Sequence, residues 1–429
     1  MRRAIATGFA LLLAMPGAAC SSGNAAGPPD LEVFVPYRGV EADLFEASLR
    51  GFEDRTGTDV RVIGSADFAS ELRRRVNDGR PPDVAVVPQP GLVADLASTG
   101  AVEVPVDPPV VDALDEFVVP AARELSVVDG EVVGVPYRLN VKSLVWYPPA
   151  LFDEMGWSIP ETLDELADLT VELAGTEVAP WCVGIEAGGA TGWVATDWIE
   201  DVLLRLAGPD VYDRWVAGDV DFVEPELVAT FEYLQDLLLV QDHVLGNASG
   251  ILRTPVAEAV LPLLEDDPPC AMHRNGTFTV NWLPGDTALG PSGDLDVFVL
   301  PAATDGEDPP ILTSVDTAVV MSDDPRADDL LAYLASPSGT AAWIAEGGFI
   351  GAHGTLDEYS SDFDARIAAL LLDGATVRVD GSDQMPPEFG EGTFWEIATR
   401  WMGGAIPTPS ALEQLDEARR IADDGPAAR

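Results

Sequence analysis

Lysine is almost absent from this sequence. Lys142 is the single lysine, and every other one of the 24 basic residues is arginine. Basic residues of either kind are few, because 73 acidic residues give the chain a formal net charge of −49. Such a charge repels nucleic acid and anionic lipid, so neither is an expected partner. The acidic residues are scattered along the chain, which is typical of a strongly hydrated surface.

Long apolar runs are also scarce, and the clearest one lies in residues 4–15, after two arginines. It is too short for a permanent membrane span and predicts a secretory signal. Small residues precede Cys20, as in a bacterial lipobox, although Gly17 stands where leucine is usual. We therefore expect residues 1–20 to be a lipoprotein signal with a lipidated Cys20, with ordinary signal cleavage as the alternative. Residues 21–29 would be a flexible linker, and the lipid would be the only contact with the membrane, at the extracellular face.

Cysteine and histidine are rare, with three residues of each in the chain. The histidines have no metal-type spacing with one another or with the cysteines, so we expect no metal site and no cofactor. Apart from Cys20, the cysteines are Cys182 and Cys270. In an exported protein an isolated pair predicts a disulfide, and two separate buried thiols are the alternative.

Alternating strands and helices are present from residue 31 onward. Apolar spacing predicts strands over 31–36, 60–63, 83–88, 296–301 and 317–321, and helices over 40–56, 67–77, 91–98, 162–174, 197–206, 226–242, 327–334, 338–346, 391–402 and 410–422. This rhythm is typical of an α/β fold, in which ligands bind beyond the carboxyl ends of the strands. A chain of 429 residues favours two domains over one.

Several stretches carry a resemblance that covers nearly the whole chain after the linker. They are PDVAVVPQPG (82–91), PYRLNVKSLVWY (136–147), WCVGIEAGGATGWVATDWIED (181–201), PPCAMHRNG (268–276), SVDTAVVMSD (314–323), GGFIGAH (347–353) and DGSDQMPPEFGEGTFW (380–395). In these stretches the chain resembles the extracellular solute-binding proteins (family 1) of carbohydrate ABC importers, above all the α-glucoside-binding branch.

The resemblance implies a periplasmic-binding-protein-like clamshell of two α/β lobes joined by three crossings. The N-terminal lobe would hold residues 30–138 and 313–346, and the C-terminal lobe residues 139–312 and 347–429. A Pro136–Tyr137 turn would then end one lobe at the first crossing, and the following strand would enter the other lobe. A crossing forms the floor of the cleft, where a polar side chain can meet ligand.

Lys142 lies at this crossing and has three interpretations. Its compact ammonium, with three donors, fits a narrow place that a planar guanidinium does not, so it can bind ligand hydroxyls. A structural ion pair at the hinge and the chance survival of one lysine are the alternatives. Arg138 departs from the family pattern, and indicates either an anionic sugar or a salt bridge at the cleft rim.

Sugars present apolar C–H faces and a ring of hydroxyls, so their sites need aromatic platforms with planar donors and acceptors. Trp193 is the first choice of platform and Trp395 the second, with core packing as the alternative for each. Thr196 or Asp197 could instead cap a helix, and Asp83 could brace a loop. The full set of candidate ligand-binding residues is Tyr37, Asp83, Gln89, Asn140, Lys142, Trp193, Asp197, Trp198, Arg274, Asn275, Asp316, Phe349, Asp383, Met385 and Trp395.

The expected function is capture and delivery without chemistry: a monomer closes on a carbohydrate and docks on ABC-transporter permease subunits. A ligand-sensing receptor subunit is one alternative. The other is a secreted glycoside hydrolase, which would need two carboxylates flanking the scissile bond. No nucleophile elbow, zinc motif or phosphate loop is found in the sequence.

Overall fold

The computed structural model of the protein describes residues 29–104, 106–353, 359, 361–372 and 375–423. Cys20, the expected signal and all but the last residue of the expected linker lie outside the described residues. In the described part, no helix combines the length and the apolar character that a membrane span requires.

Two mixed sheets organise the described residues. The larger sheet has the order β12-β6-β11-β3-β1-β2, with β13 beside the start of β11, and the smaller sheet has the order β10-β7-β9-β8. A short hairpin joins β4 and β5. The strands are β1 Leu31–Val35, β2 Val60–Gly64, β3 Val84–Val87, β4 Val127–Val128, β5 Glu131–Val132, β6 Val135–Val141, β7 Leu144–Tyr147, β8 Ala179–Trp181, β9 Cys270–Asn275, β10 Asp296–Val299, β11 Ile311–Val320, β12 Ile350–Gly351 and β13 Val377–Val379.

Helices cover both faces of the larger sheet and form most of the remainder. They are α1 Val40–Thr56, α2 Phe68–Asn77, α3 Pro90–Ser98, α4 Pro108–Phe117, α5 Pro120–Glu124, α6 Pro149–Met155, α7 Leu163–Ala174, α8 Trp193–Leu206, α9 Pro209–Val216, α10 Pro225–Leu238, α11 Asn247–Arg253, α12 Pro325–Leu334, α13 Pro337–Ile344, α14 Asp362–Leu372, α15 Gly381–Gln384, α16 Trp395–Met402 and α17 Thr408–Asp423. Short 3₁₀ turns cover Gly188–Ala190, Val256–Glu258, Leu261–Leu264 and Thr277–Trp282, and a π-helical segment, Glu388–Phe394, leads into α16.

The core follows from side-chain alternation along the strands. Val33 and Val35 of β1 enter one core of the larger sheet, and Phe34 enters the core on the opposite face. Successive residues of a strand point to opposite faces, so a continuous apolar run is buried on both sides. A further core joins α7, α8, α10, α16 and α17 to one face of the smaller sheet.

Among the described residues, three connections link the larger sheet to the rest of the fold. β6 of the larger sheet leads directly into β7 of the smaller one, and β10 leads back into β11. The third runs from β13 of the larger sheet through α15 to α16 and α17, which pack in the core on the smaller sheet. The lobe boundaries that we expected, 30–138 with 313–346 and 139–312 with 347–429, stay a prediction.

The expected Pro136–Tyr137 turn is wrong, because both residues lie inside β6. Thr317 of β11 pairs with Pro136 and Asp316 pairs with Arg138, so Tyr137 is the extra residue of a bulge. Proline lacks the N–H that a regular ladder uses, and a bulge accommodates it. The break between the sheets therefore falls at Lys142 and Ser143.

Several helix and strand ends differ from the sequence prediction. Helix α8 begins at Trp193, with Gly192 at its N-cap, so neither Thr196 nor Asp197 caps it. β11 begins at Ile311, well before the expected start at residue 317, because its first residues pair with β13. The helix expected over 391–402 has a π-helical first part, and the helix expected over 226–242 ends at Leu238.

Candidate ligand-binding site

The side chain of Lys142 lies where the three crossings meet. Its Nζ donates to Asp197 Oδ1 at 2.9 Å and to Asp380 Oδ2 at 2.5 Å, and Asp383 Oδ2 is 4.0 Å away. Its backbone N–H donates to Leu312 O at 2.8 Å. Only 5% of the residue is exposed. The structure thus gives Lys142 the ion pairs of the structural interpretation, and a ligand contact stays a prediction.

Two further cations, Arg274 and Arg205, extend the cluster along helix α8. Arg274 of β9 donates to Asp201 Oδ2 at 2.8 Å and lies 3.4 Å from Asp197 Oδ2. Arg205 donates to the other oxygen of Asp201 and to the backbone oxygen of Leu300. Asp197, Asp201 and Arg205 fall on one face of α8 because side chains four residues apart are neighbours on a helix.

The turn after β13 supplies the remaining acids. Asp380 Oδ1 accepts from Ser382 Oγ at 2.9 Å and from the Asp383 N–H at 3.1 Å. The Ser382 N–H donates to Glu200 Oε1 at 3.0 Å, and Tyr212 O–H donates to Glu200 Oε2 at 3.2 Å. This turn is therefore fixed to α8 by buried hydrogen bonds.

The cluster contains five acids and three cations, all of them buried: Asp197, Glu200, Asp201, Asp380 and Asp383 with Lys142, Arg205 and Arg274. Five charges of one sign against three of the other would be costly in a dry interior. Burial, with the charge of Asp380, raises the pKa of Glu200 and of Asp383 well above the usual range, so ionisation of either carboxyl is disfavoured in this cluster.

Lys142 influences the pKa of two further carboxyls, those of Asp380 and Asp197. Burial alone would lower the pKa of Lys142, but the charges of Asp197 and Asp380 raise it well above its usual value. Burial also opposes ionisation of Asp380, yet the ammonium keeps the pKa of that carboxyl below its ordinary range. For Asp197 the effect of burial is larger than that of the Lys142 charge. Burial therefore raises the pKa of Asp197 to about 7, although Lys142 lowers it in part.

Aromatic rings stand beside this cluster. Lys142 Nζ lies 5.4 Å from the centroid of the Trp193 ring, a distance at which a cation and a ring attract each other. Phe278 meets Trp193 edge-on at 5.7 Å and packs on Trp282 at 5.1 Å. All three rings are only partly buried. They form an apolar surface next to a polar one, which suits the two sides of a sugar.

Arg138, four residues before Lys142, occupies a different environment. It donates to Glu41 Oε1 at 2.8 Å and to Gly348 O at 2.9 Å, and its guanidinium lies 4.5 Å from the Trp343 ring. Asn281 Oδ1 accepts from both Arg138 and Trp343 Nε1. Of the two interpretations of Arg138, the structure gives it the salt bridge. Its location is buried, however, and not on a rim.

Between Arg138 and Lys142, polar residues line the paired strands β6 and β11. Tyr37 O–H donates to Asp316 Oδ2 at 2.7 Å. Asn140 Nδ2 donates to Ser314 Oγ at 3.2 Å, and Thr277 Oγ1 lies 3.4 Å from Asn140 Oδ1. Burial raises the pKa of Asp316, an effect that Arg138 partly offsets. The structure thus brings Tyr37, Asn140 and Asp316 together at the junction of the sheets.

Close backbone contacts join the candidate segments. Gly192 has φ +126°, a conformation that favours glycine, and a Cβ at this position would lie 2.4 Å from Trp395 Cβ. A Cβ on Gly91, in the first turn of α3, would lie 2.5 Å from Met385 O. Larger residues at either glycine would push these segments apart. Trp193, Trp395 and Asp383 therefore belong to one continuous region.

The other candidate residues have mainly internal contacts. Asp83 accepts from the Glu32 N–H at 2.8 Å, as expected of a brace. Trp198 is fully buried against Trp181, and Phe349 packs on Tyr137 and Trp343. Asn275 accepts from the Gly276 N–H, and Met385 lies in the core around α8. Gln89 precedes α3 with its buried Oε1 unpartnered among the described residues.

Sequence reasoning missed several residues of the region: Glu200, Asp201, Arg205, Phe278, Asn281 and Asp380. The spacing of Asp197, Asp201 and Arg205 on one helical face was an available signal. Asn281 and Asp380 gave none, because they reach their partners only through the fold. In the described residues, no group of histidine, cysteine, aspartate or glutamate side chains has a geometry that could hold a metal ion.

Comparison with known proteins decides the family. The profile described as "Bacterial extracellular solute-binding protein" matches residues 37–341. The chain belongs to this family. It is 37% identical to the osmoprotective compounds-binding protein GgtB of Synechocystis sp. over 378 residues, which cover 86% of this chain and 88% of the relative. It is 31% identical to the alpha-glucosides-binding periplasmic protein AglE of Rhizobium meliloti, over 87% of this chain and 83% of the relative.

Solved structures confirm the α/β two-lobed fold of this family member. The bacterial solute receptor AcbH, described as having an exclusive preference for β-D-galactopyranose, superposes with a TM-score of 0.78. The match covers 91% of this chain and 98% of AcbH at 17% identity. Maltose-bound MalE3 of T. maritima gives a TM-score of 0.71 over 91% of this chain and 99% of that chain, at 16% identity.

Proposed function

We propose that this chain is a lipid-anchored extracellular solute-binding protein that captures a sugar, an α-glucoside or a related oligosaccharide, between its two lobes. It would then deliver the sugar to the permease of an ABC transporter. The observation that carries the proposal is the partly buried Trp193 ring beside the polar cluster of Lys142, Asp197 and Asp383 at the meeting point of the three crossings. A ligand bound there that also contacts the other lobe would favour the closed form by its difference in affinity for the two forms.

The relatives support a carbohydrate or a similar polyol as the ligand. One matched relative is named for α-glucosides and another for osmoprotective compounds. A region with an indole ring, carboxyls and amide groups suits hydroxyl-rich, uncharged molecules. We therefore propose a carbohydrate or a similar polyol as the ligand of this chain.

The charges near the crossings favour a neutral ligand over an anionic or sulfonated one. The four cations of this region are each paired with buried or half-buried carboxylates: Arg138, Lys142, Arg205 and Arg274. An anion would have to break one of these pairs or approach the surplus acids. Truncating one partner of a buried pair costs about 3–5 kcal/mol, more than a ligand contact usually returns.

A thermal-shift screen followed by calorimetry tests the proposal. The panel is maltose, trehalose, sucrose, other α-glucosides, cyclic sugars and sulfonated sugars, with the chain from residue 21 onward. We expect a neutral sugar to raise the melting temperature, because binding to the folded state alone stabilises it by about 2.7 kcal/mol at a hundredfold excess over Kd. Stabilisation by only peptides, polyamines or metals would refute the sugar assignment, and release of sugar products would indicate a hydrolase.

Substitution of Trp193 tests the site, and substitution of Trp157 is the matched control. We expect Trp193→Ala to weaken sugar binding by at least tenfold, since truncating an aromatic residue that dominates a binding site costs about 2 kcal/mol or more. Trp157, which is also partly buried and packs on Phe152 at 5.6 Å, lies in another part of the chain. Trp157→Ala should leave the sugar affinity unchanged. Equal losses in the two variants would contradict a platform at Trp193.

Export and anchoring are separate parts of the proposal. The sulfur atoms of Cys182 and Cys270 are bonded in the structure, with Cα atoms 5.5 Å apart, as a disulfide allows. We infer that the exported protein carries this bond, which mass spectrometry of unreduced peptides would detect.

Cys20→Ala should release the protein into the medium if Cys20 holds the lipid. Retention at the cell surface would contradict the anchor.

A further inference from the structure

The contacts of Lys142 connect every crossing of the hinge. Lys142 follows β6 at the first crossing, and its N–H binds Leu312 O at the start of β11, the second crossing. Its ammonium binds Asp380, directly after β13 on the third crossing. The Asp380 N–H in turn donates to Thr313 O at 2.8 Å. Through its backbone N–H and its ammonium, one residue thus links all three connections.

The ammonium of Lys142 also binds helix α8, which carries Trp193, the proposed stacking platform. Asp197 accepts from Lys142 one turn after Trp193, the first residue of the helix. A second route runs through hydroxyls, because Asp380 accepts from Ser382 Oγ, which is 3.1 Å from Thr196 Oγ1. Thr196 Oγ1 also lies 3.0 Å from Trp193 O. Both the helix start and the backbone of Trp193 are therefore tied to the partners of Lys142.

The ring of Trp193 is held on several sides. Lys142 Nζ lies 5.4 Å from its centroid, Phe278 meets it edge-on, and Gly192 packs against Trp395 directly before it. Lys142 is 5% exposed and uses two of its donors on carboxylates, so it presents little surface to a ligand. Trp193 is the more exposed partner of this pair.

We propose that Lys142 is a positioning residue: it fixes the Trp193 ring relative to the hinge and so sets sugar affinity without touching the sugar. The inference rests on the proposed function for its effect on affinity. Its effect on the Trp193 ring does not depend on any ligand. These two consequences allow the two proposals to be tested separately.

The ligand-free test uses the emission of Trp193, obtained as the difference between each protein and its Trp193→Phe counterpart. Lys142→Met alone leaves two buried carboxylates without their cation, so the paired change Lys142→Met with Asp380→Asn provides a better balanced variant. We expect the Trp193 emission to shift in this variant. Arg75→Met removes a partly buried cation that pairs with Glu32 in another part of the chain, and as the control it should not shift the emission. An unshifted emission in the paired variant, or an equal shift in the control, would overturn the inference.

The affinity test is a double-mutant cycle with maltose or trehalose, whichever stabilises the unaltered protein more. We expect the paired Lys142 and Asp380 change to weaken binding roughly tenfold, equivalent to about 1.4 kcal/mol. In a Trp193→Ala background the same change should weaken binding less than about twofold, because the ring that Lys142 positions is already gone. An equal loss in both backgrounds would show a direct contact of Lys142 with sugar and refute a positioning role.

The two proposals fail in different ways. If no sugar stabilises the unaltered protein, the proposed function fails, and the emission experiment still decides whether Lys142 positions Trp193. If sugar binds and the emission is insensitive to Lys142, the positioning role fails and the proposed function stands.

Discussion

Arg138 and Lys142 are both buried cations that accompany strand β6, and they have opposite kinds of neighbours. Arg138 lies among the rings of Tyr37, Trp343 and Phe349 and pairs with one half-buried carboxylate, Glu41. Lys142 lies among buried carboxyls and beside a single ring. A planar guanidinium stacks on rings and binds several oxygens in its plane, whereas an ammonium is a compact charge for a narrow acidic place. The narrow acidic site at residue 142 therefore suits lysine.

The two cations also connect different parts of the molecule. Arg138 links β6 to helix α1 through Glu41 and to the Thr277–Trp282 turn through Asn281. Lys142 links the three crossings to helix α8. Loss of Arg138 leaves a carboxylate that water can reach, while loss of Lys142 leaves carboxylates that it cannot reach. We therefore expect the two sites to differ in stability, in tolerance of exchange and in pH response.

Removing Lys142 should have the largest effect. Lys142→Met leaves Asp197 and Asp380 buried without their ammonium, and breaking a buried pair in this way lowers the free energy of unfolding by about 3–5 kcal/mol. Arg138→Met should cost less, roughly 1–3 kcal/mol, because Glu41 is partly exposed. Urea denaturation of both variants measures the difference. A larger loss at Arg138 than at Lys142 would reverse the comparison.

Replacing Arg138 by lysine or Lys142 by arginine should have a smaller effect, because the positive charge is retained. Arg138→Lys loses the stacking on Trp343 and the bonds to Gly348 and Asn281, at a cost of about 1–2 kcal/mol. Lys142→Arg must fit a larger group between Asp197 and Asp380, and overpacking of this kind costs about 1–3 kcal/mol. Melting curves at one pH give both values. If either exchange has no effect, the shape of that cation does not matter at its site.

Raising the pH should weaken the Lys142 site through Asp197. The folded-state pKa of Asp197, about 7, is above its unfolded value, so the stability linked to its proton is present at low pH and is lost as the pH rises through 7. Between pH 6.5 and 8 this loss amounts to about 1 kcal/mol. Asp197→Asn should remove that part of the slope.

A pH range above 6.5 is needed for this experiment because of His273. Burial lowers the pKa of His273 to about 4, so the stability linked to its neutral form is lost as the pH falls from 6.5 toward 4. The part of this contribution that remains above pH 6.5 is the same in the unaltered protein and in Asp197→Asn, so it cancels in their comparison. A slope from pH 6.5 to 8 that is the same in Asp197→Asn and the unaltered protein would contradict the assignment to Asp197.

The smallest effect should come from neutralising Glu41. Glu41→Gln keeps an acceptor for Arg138 and loses only a partly exposed charge, so we expect a change below about 1 kcal/mol. Asp380→Asn, the matched change at the Lys142 site, should cost more because Asp380 is buried and is ionised in the folded protein. Equal losses in the two variants would show that burial does not distinguish the two sites.

Much of the fold could be predicted from local patterns, because β1 to α3 alternate with clear apolar periods and short polar connections. The Pro136–Tyr137 turn was wrong since proline normally interrupts a strand, and only the pairing with Asp316 and Thr317 reveals the bulge. The rarity of lysine drew attention to residue 142, but its partner Asp380 is 238 residues further along the chain. No local signal identifies a partner at that separation, so the acidic cluster required the fold.

By our proposal, a neutral sugar binds where the crossings meet, on the Trp193 ring beside Lys142. Calorimetric titration of the unaltered protein and of Trp193→Ala with the best neutral sugar of the panel tests it most directly. We expect one saturable site in the unaltered protein and at least a tenfold weaker one in the variant. Undiminished affinity in Trp193→Ala, or no binding of any sugar by the unaltered protein, would contradict the account.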